Sequence, residues 1–309
     1  MIAIPKPRRR DSNRRVGVHF ALLALVALIA CGVLAVGSAS AFSAARGKAK
    51  ARSAQVAGVP QATGVVVEVL HLRVPGTTTT RAVRVYRPNV ADSAAIPILY
   101  FLHGHPGHPG DLDTANLSGT MTRWLRAGAR PFVVVVPDGN GTRHSDTEWA
   151  NAADGSDQEE TFVTHTILSA VEGANIRAPR DRAIGGFSMG GYGAMNIALR
   201  NPTLYGQIVS MAGYFHVDDL SSVFANKRAL IAANSPDRHA LQARGKSVLL
   251  MDAETETDPL IQGEAARMAR VLRGAGVKAT VRLGTGGHDL SYVRAALPSA
   301  FEFLESAWR

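Results

Sequence analysis

The chain has 309 residues and a formal net charge of +9, a charge that would suit a nucleic-acid-binding protein if it lay on a folded domain. The excess charge lies instead in the first 60 residues, which hold ten of the 34 lysines and arginines and only one of the 25 acids. The rest of the chain therefore has 24 basic and 24 acidic residues. That remainder has no net positive charge to offer phosphates, so nucleic acid is excluded as a partner.

The amino-terminal segment predicts export. Residues 16–42 contain no Asp, Glu, Lys or Arg, follow five arginines, and are long enough to cross a bilayer as a helix. The Ala-Ser-Ala triplet at residues 39–41 also fits a signal-peptidase site. Residues 1–42 are therefore predicted to be a basic N-terminus followed by a membrane anchor, which we favour, or by a cleaved signal peptide. Either places the domain outside the cytoplasm, anchored in the membrane or secreted to the cell envelope.

A linker and one folded domain are predicted to follow. Residues 43–62 are small, polar and basic without apolar periodicity, which is typical of a flexible linker. The domain is predicted to cover residues 63–309. The single cysteine, Cys31, lies within the apolar run, so this domain can contain no disulfide and must be stabilised by its core.

The domain alternates β-type and helical runs. The β-type runs cover residues 64–74, 80–88, 96–104, 131–139, 182–188, 207–213, 247–253 and 279–283. Apolar residues recur at helical spacing in two late stretches, at Ile261, Ala265, Met268 and Leu272 and at Val293, Leu297, Phe301 and Leu304. This alternation predicts an α/β fold, with a mostly parallel central sheet and helices on both faces. The polar residues 214–246 interrupt it and are interpreted as a lid or a surface excursion.

The strongest motif is Gly-Phe-Ser-Met-Gly at residues 186–190. It follows a strand-like run and precedes a helical one, as in the sharp turn that exposes a nucleophilic serine. Ser188 is therefore predicted to be the nucleophile.

A serine hydroxyl needs a base to accept its proton, and the base needs an acid to orient it. In hydrolases whose nucleophilic serine lies on such a turn, the chain order is Ser, acid, His. His288 lies in a glycine-rich loop between the last strand and the last helix and fits the base better than His239 in the polar excursion. Four acids that follow the apolar residues 247–251 compete for the role of the acid, and position alone leaves the choice open: Asp252, Glu254, Glu256 and Asp258.

An oxyanion hole is expected from two backbone N–H groups. Met189 follows the nucleophile and supplies one. Gly104 lets the backbone after the third strand approach the substrate, and His105 would donate the other. No cofactor and no metal is expected.

Three stretches, YFLHG, GFSMGGYGAMNIAL and GGHDLSYVRAALPSAFEFL, resemble the putative-esterase branch of the α/β-hydrolases, which includes esterase D, feruloyl esterases and mycolyltransferases. The resemblance implies the α/β-hydrolase fold and a serine esterase acting on small-molecule or cell-envelope acyl esters. It supports Ser188 and His288, and it points to Asp258 as the acid.

Three alternatives remain. An acyltransferase would share the acyl-enzyme but pass the acyl group to an alcohol such as a sugar hydroxyl. His103, His105 and His108 form an HxHxxH pattern that could hold zinc, although the aspartate that normally precedes the third histidine is replaced by Gly107. A non-catalytic binding module would be expected to lack Ser188 or His288, and both are present.

Overall fold

The computed structural model describes residues 64–90, 96–219 and 221–309. The predicted anchor or signal peptide at 1–42 and the predicted linker at 43–62 lie outside these residues. Within the described ranges, no helix combines the length and the apolar character needed to cross a membrane.

All eight predicted strands form, and they join in one sheet. Their order across the sheet is β1-β2-β4-β3-β5-β6-β7-β8. The strands are β1 (Val65–Arg73), β2 (Thr80–Pro88), β3 (Ile98–Leu102), β4 (Val133–Pro137), β5 (Arg182–Phe187), β6 (Gln207–Met211), β7 (Ser247–Ala253) and β8 (Ala279–Gly284).

Strand direction gives the sheet two distinct ends. Strands β3 to β8 are parallel, whereas β2 pairs antiparallel with both β1 and β4. We call the end at which β3 to β8 finish the carboxyl edge and the end at which they start the amino edge. Because β1 is antiparallel to β2, it runs in the same direction as β4 and begins at the amino edge. Strands β1 and β8 are the two outer strands.

Helices cover both faces of the sheet, as predicted. They are α1 (Asp111–Thr114), α2 (Leu117–Arg126), α3 (Glu159–Thr161), α4 (Leu168–Glu172), α5 (Met189–Arg200), α6 (Arg228–Ala233), α7 (Glu264–Gly274) and α8 (Leu290–Ala307), and a π-helical turn (Phe162–Ile167) joins α3 to α4. Met121 of α2 and Phe301 of α8 belong to the core on one face, and Met195 of α5 and Met268 of α7 belong to the core on the other. The fold is therefore of the α/β-hydrolase type.

The apolar periodicity identified the buried faces of the last two helices. Ala265, Met268 and Leu272 are buried on α7, and Ile261 is buried just before that helix begins. The four apolar positions predicted for α8 are all buried.

A buried ionic network ties together the two strands that lead to the site. Glu172 accepts hydrogen bonds from Tyr100 of β3 (2.8 Å), from the Arg177 amide (2.6 Å) and from two guanidinium nitrogens of Arg182 in β5 (both 2.7 Å). Burial alone would raise the pKa of Glu172, but the hydrogen bonds from Arg182 and Arg177 outweigh it and hold the pKa below its usual value.

We expect Glu172→Gln to lower the free energy of unfolding by about 3 to 5 kcal/mol, because the buried Arg182 loses its counter-charge. The measurement is urea unfolding at pH 7. Glu68→Gln is the control, since Glu68 pairs with Arg87 at an exposed site, and it should cost less than about 1 kcal/mol. Equal unfolding midpoints for the two variants would show that the network does not stabilise the fold.

Candidate active site

Ser188 occupies the strained turn between β5 and α5. Its backbone has φ 57° and ψ −122°, a conformation that side-chain-bearing residues rarely adopt. A Cβ atom on Gly186 would lie 2.3 Å from the carbonyl oxygen of Gly190, and one on Gly190 would lie 2.0 Å from that of Leu102. The motif glycines are therefore required by close backbone contact.

His288 lies beside Ser188. Its Nε2 is 2.8 Å from the Ser188 Oγ. The loop that carries it ends at Asp289, whose carboxylate caps α8 by accepting hydrogen bonds from two amides of the first turn. The Phe187 ring packs against the imidazole with 4.7 Å between ring centres. The serine and the histidine, which are 100 residues apart in sequence, thus form a hydrogen-bonded pair.

Glu256 completes the hydrogen-bonded chain. Its Oε2 is 2.8 Å from His288 Nδ1, and its side chain is 3% exposed. Its Oε1 accepts hydrogen bonds from the amides of Thr257 and Asp258, each 3.0 Å long. These bonds fix the carboxylate plane, so one oxygen faces the imidazole while the other is held by the turn.

The structure corrects the prediction that Asp258 orients His288. Asp258 is exposed, and its Oδ1 accepts a hydrogen bond from the Leu260 amide (2.9 Å), so it caps the turn that leads towards α7. Among the other competing acids, Glu254 is exposed, and Asp252 is buried and accepts from the Ala265 amide. Burial raises the pKa of Asp252 to about 6.

Hydrogen bonds join the acid turn to the histidine loop. The amide and hydroxyl of Thr255 both donate to the Gly286 carbonyl, at 3.1 and 2.8 Å, and the Glu254 amide donates to the Gly284 carbonyl. The distance between Glu256 and His288 is thereby set by the backbone on either side.

The two predicted oxyanion donors belong to segments that pass close to Ser188. Met189 is the first residue of α5, so its N–H has no acceptor within the helix. A Cβ atom on Gly104 would lie 3.1 Å from the Ser188 Cβ, which shows how closely the chain before His105 passes the nucleophile. Trp149 supports this loop by donating a hydrogen bond from its Nε1–H to the carbonyl of His103 (3.0 Å).

The HxHxxH histidines do not converge. Both ring nitrogens of His103 have hydrogen-bond partners, the Gly104 carbonyl at Nδ1 and the Gly139 amide at Nε2. His108 is exposed and its Nδ1 lies 3.1 Å from Asp111. In the ranges that the structure covers, no group of three or more His, Cys, Asp and Glu side chains is arranged to hold a metal ion.

A cavity of about 570 Å³ opens beside His288. It is mostly apolar, with polar groups at its rim. Its lining includes Phe101, His105, His108, Asp111, Leu112, Phe187, His288, Asp289, Leu290 and Val293. None of the described residues between 214 and 246 lines it; that segment instead docks on the domain, for example through the Tyr192 hydroxyl and the Asn234 carbonyl (2.8 Å). It is a surface excursion in this structure.

Glu148 is a further buried carboxylic acid, and it precedes Trp149, whose side chain contacts the His103 carbonyl. Glu148 and Trp149 both have positive φ, at 53° and 49°. Glu148 is hydrogen-bonded to the hydroxyl of Tyr214, whose ring stacks on Tyr192 of α5. Burial raises the pKa of Glu148 to about 8, and the nearby charge of Asp146 adds to the shift. The surrounding stretch has no periodicity, so nothing in the sequence marks this residue as buried.

Sequence comparison finds the family described as putative esterase over residues 75–304. The MPT51/MPB51 antigen of Mycobacterium tuberculosis is 30% identical over 135 residues, which are 42% of this chain and 44% of that protein. An esterase of the same organism is 29% identical over 206 residues, which are 58% of this chain and 43% of that protein. The match thus spans less than half the length of either relative.

Solved structures share the fold. A ferulic acid esterase superimposes with a TM-score of 0.67 at 23% identity, covering 79% of this chain and 98% of its own. An S-formylglutathione hydrolase from Agrobacterium tumefaciens gives 0.67 at 16% identity, covering 80% and 97%. The MPT51 structure from Mycobacterium tuberculosis gives 0.61 at 20% identity, covering 79% and 99%.

Glu148 should make stability fall as the pH rises. Its pKa is about 8 when folded and 4.5 in its reference state, so the folded protein holds the proton more tightly and loses stability between these values. Glu148→Gln removes this contribution, and we expect the variant to gain stability relative to the wild type from pH 5 to pH 9 in urea unfolding. Glu254→Gln, at an exposed position, is the control. Parallel pH profiles for the wild type and Glu148→Gln would contradict the assignment.

Proposed function

Because the chain belongs to the putative-esterase family, we propose that it is a serine esterase that cleaves acyl esters through Ser188, His288 and Glu256. Membership of this family makes residues 75–304 an enzyme domain of the carboxylic ester hydrolase class. The observation that carries the finer proposal is the continuous hydrogen-bonded chain from the Ser188 Oγ through both imidazole nitrogens to Glu256.

Acylation begins at Ser188. Its Oγ attacks the ester carbonyl carbon while its proton passes to His288 Nε2. The carbonyl oxygen becomes an oxyanion and accepts hydrogen bonds from the N–H groups of Met189 and His105. When the tetrahedral intermediate collapses, the bond to the alcohol breaks, and the alcohol leaves with the proton from His288. Ser188 then carries the acyl group.

Water completes the cycle by the same route. His288 takes a proton from water, the oxygen attacks the acyl carbon, and collapse returns the proton to the Ser188 Oγ and releases the acid. In both halves Glu256 stabilises the imidazolium, because its Oε2 accepts from Nδ1–H while the two turn amides hold Oε1 in place.

The cavity indicates which esters fit. Phe101, Leu112 and Val293 provide an apolar wall, and His108 and Asp111 provide polar groups at the rim. We expect an ester with an apolar group of moderate size on one side and a polar group on the other.

The same acyl-enzyme would serve acyl transfer. The polar rim could seat an alcohol in place of water, including a sugar hydroxyl. Adding sugar acceptors to the ester assay separates the two, because transfer produces an acyl sugar and hydrolysis produces only the free acid. We favour hydrolysis, since His288 lies at a solvent-accessible cavity, with 30% of its side chain exposed.

The amino-terminal sequence supports export. Residues 16–42 form an uncharged apolar run after five arginines, so we propose that the enzyme acts outside the cytoplasm, held by this run or released by cleavage near residue 41.

We expect Glu256→Gln to lower kcat about 10³- to 10⁴-fold, because the neutral amide cannot stabilise the imidazolium or fix its tautomer. Asp258→Asn is the matched control two residues away and should keep most of the activity. The measurement is steady-state hydrolysis of a panel of acyl esters.

Fluorophosphonate labelling followed by intact-protein mass spectrometry tests the nucleophile independently. Wild type and Asp258→Asn should gain one adduct, and Ser188→Ala should gain none. A large loss of kcat in Asp258→Asn with a normal Glu256→Gln would overturn the assignment of the acid, and labelling of Ser188→Ala would overturn the assignment of the nucleophile.

Amino-terminal sequencing of protein recovered from a cell fractionation tests export. We expect the chain in the membrane fraction with its apolar run intact, or outside the cytoplasm with a start near Phe42. Intact chain confined to the cytoplasm would rule export out.

A further inference from the structure

We propose that the amino edge of the sheet binds the anionic headgroups of a lipid surface, with the active site facing away from that surface. The proposal concerns the end of the domain opposite Ser188. It does not depend on the esterase mechanism.

Five cationic side chains line two grooves at the amino edge. Arg180, Arg244 and Lys246 line a groove beside the starts of β6 and β7, and Arg273 and Lys278 line a second groove where α7 leads into β8. The Arg244 side chain joins the two grooves, because its Nε donates to the Ala275 carbonyl (3.0 Å). The cations therefore form one continuous strip.

Most of this charge is not neutralised. Among the described residues, no carboxylate lies within ion-pair distance of Arg244, Lys246, Arg273 or Lys278. Arg180 is the member of the strip with an acidic partner, Asp181. A cation near the C-terminal end of a helix interacts favourably with the helix dipole, and this accounts for Arg273 in the last turn of α7. Arg244 likewise donates to the Ala275 carbonyl at the end of α7, and the Lys246 ammonium donates to the Pro202 and Tyr205 carbonyls, so both are hydrogen-bonded but have no counter-charge. Lys278 lies in the loop before β8 and is exposed.

Two exposed apolar side chains flank the strip. Ile176, in the connection before β5, is 61% exposed, and Leu241, three residues before Arg244, is 59% exposed. Basic groups beside protruding apolar side chains are typical of surfaces that lie on a membrane, where the cations meet lipid phosphates and the apolar groups enter the interface. A nucleic-acid surface gives no use to isolated aliphatic side chains.

The opposite edge carries acids. The connections that follow the strands at the carboxyl edge hold Asp138, Asp146, Glu148, Asp218, Asp219, Glu254, Glu256, Asp258 and Asp289. Basic residues in these connections, such as Arg143, are fewer than the acids, so negative charge predominates at this edge. An anionic surface attracts the amino edge and repels the edge that carries Ser188.

The chain also enters the domain on this side. Strand β1 begins at the amino edge, and the sequence just before it, residues 43–62, contains four further basic residues and no acid. Basic residues next to an apolar run are typical of segments at an anionic membrane surface.

The test uses the full chain with Cys31→Ser and Leu241→Cys, labelled at position 241 with an environment-sensitive fluorophore. It is mixed with vesicles of phosphatidylcholine alone or with phosphatidylglycerol added. We expect acrylamide quenching to fall about twofold or more on the anionic vesicles only, and to recover in 1 M salt because the interaction is electrostatic. A label at Leu283→Cys, exposed near the carboxyl edge, should not respond.

Charge variants identify the surface. Arg244→Gln with Lys278→Gln should abolish the protection, and Arg143→Gln with Arg294→Gln, two exposed arginines near the carboxyl edge, should leave it unchanged. Both double variants should hydrolyse soluble esters like the wild type, so a failed esterase assignment would not be confused with a failed lipid surface. Protection that is equal on neutral vesicles, that survives the Arg244 and Lys278 changes, or that a DNA duplex reproduces in place of vesicles would overturn the proposal.

Discussion

The site depends on how closely the backbone segments pack at the end of β5. The carbonyl of Leu102 lies so near Gly190 that a Cβ atom there would be 2.0 Å away. That contact brings the end of β3, the turn at Ser188 and the start of α5 together without any side chain between them. The two N–H groups expected to bind an oxyanion come from these segments, so their spacing follows from backbone packing rather than from flexible side chains. The Glu172 network secures the same two strands from the other end.

The charged side of the site is built in a different way. Glu256 and His288 lie on separate loops, after β7 and β8, and neither loop is a regular element. Thr255 and Gly286 connect them by two hydrogen bonds, and Asp289 fixes the far end of the histidine loop by capping α8. A small shift in either loop would break the contact between carboxylate and imidazole, so these backbone bonds are part of the geometry of the site.

The sequence predicted the elements that rest on local pattern and missed those that rest on loop geometry. All eight strands and the buried faces of the last two helices follow from apolar spacing, and Ser188 and His288 follow from glycine-rich motifs in the right order. Choosing among the acids of the turn after β7 required side-chain direction. Family resemblance favoured Asp258, but Glu256 is the acid that points inward, because Asp258 uses its carboxylate to cap the next turn. Glu148 was missed because a buried acid in an aperiodic loop leaves no pattern.

The two outer strands of the sheet differ from the inner ones in a way that affects assembly. Strands β1 and β8 each pair on one side, so each presents an open row of backbone groups to another chain. Val66, Val69 and Leu283 are exposed there, and such apolar groups favour edge-to-edge pairing. Glu68, Arg73 and Arg282 place charged side chains among these apolar ones. Ordered stacking of sheets would have to bury these charges, and the cost of removing them from water opposes fibril formation at either outer strand.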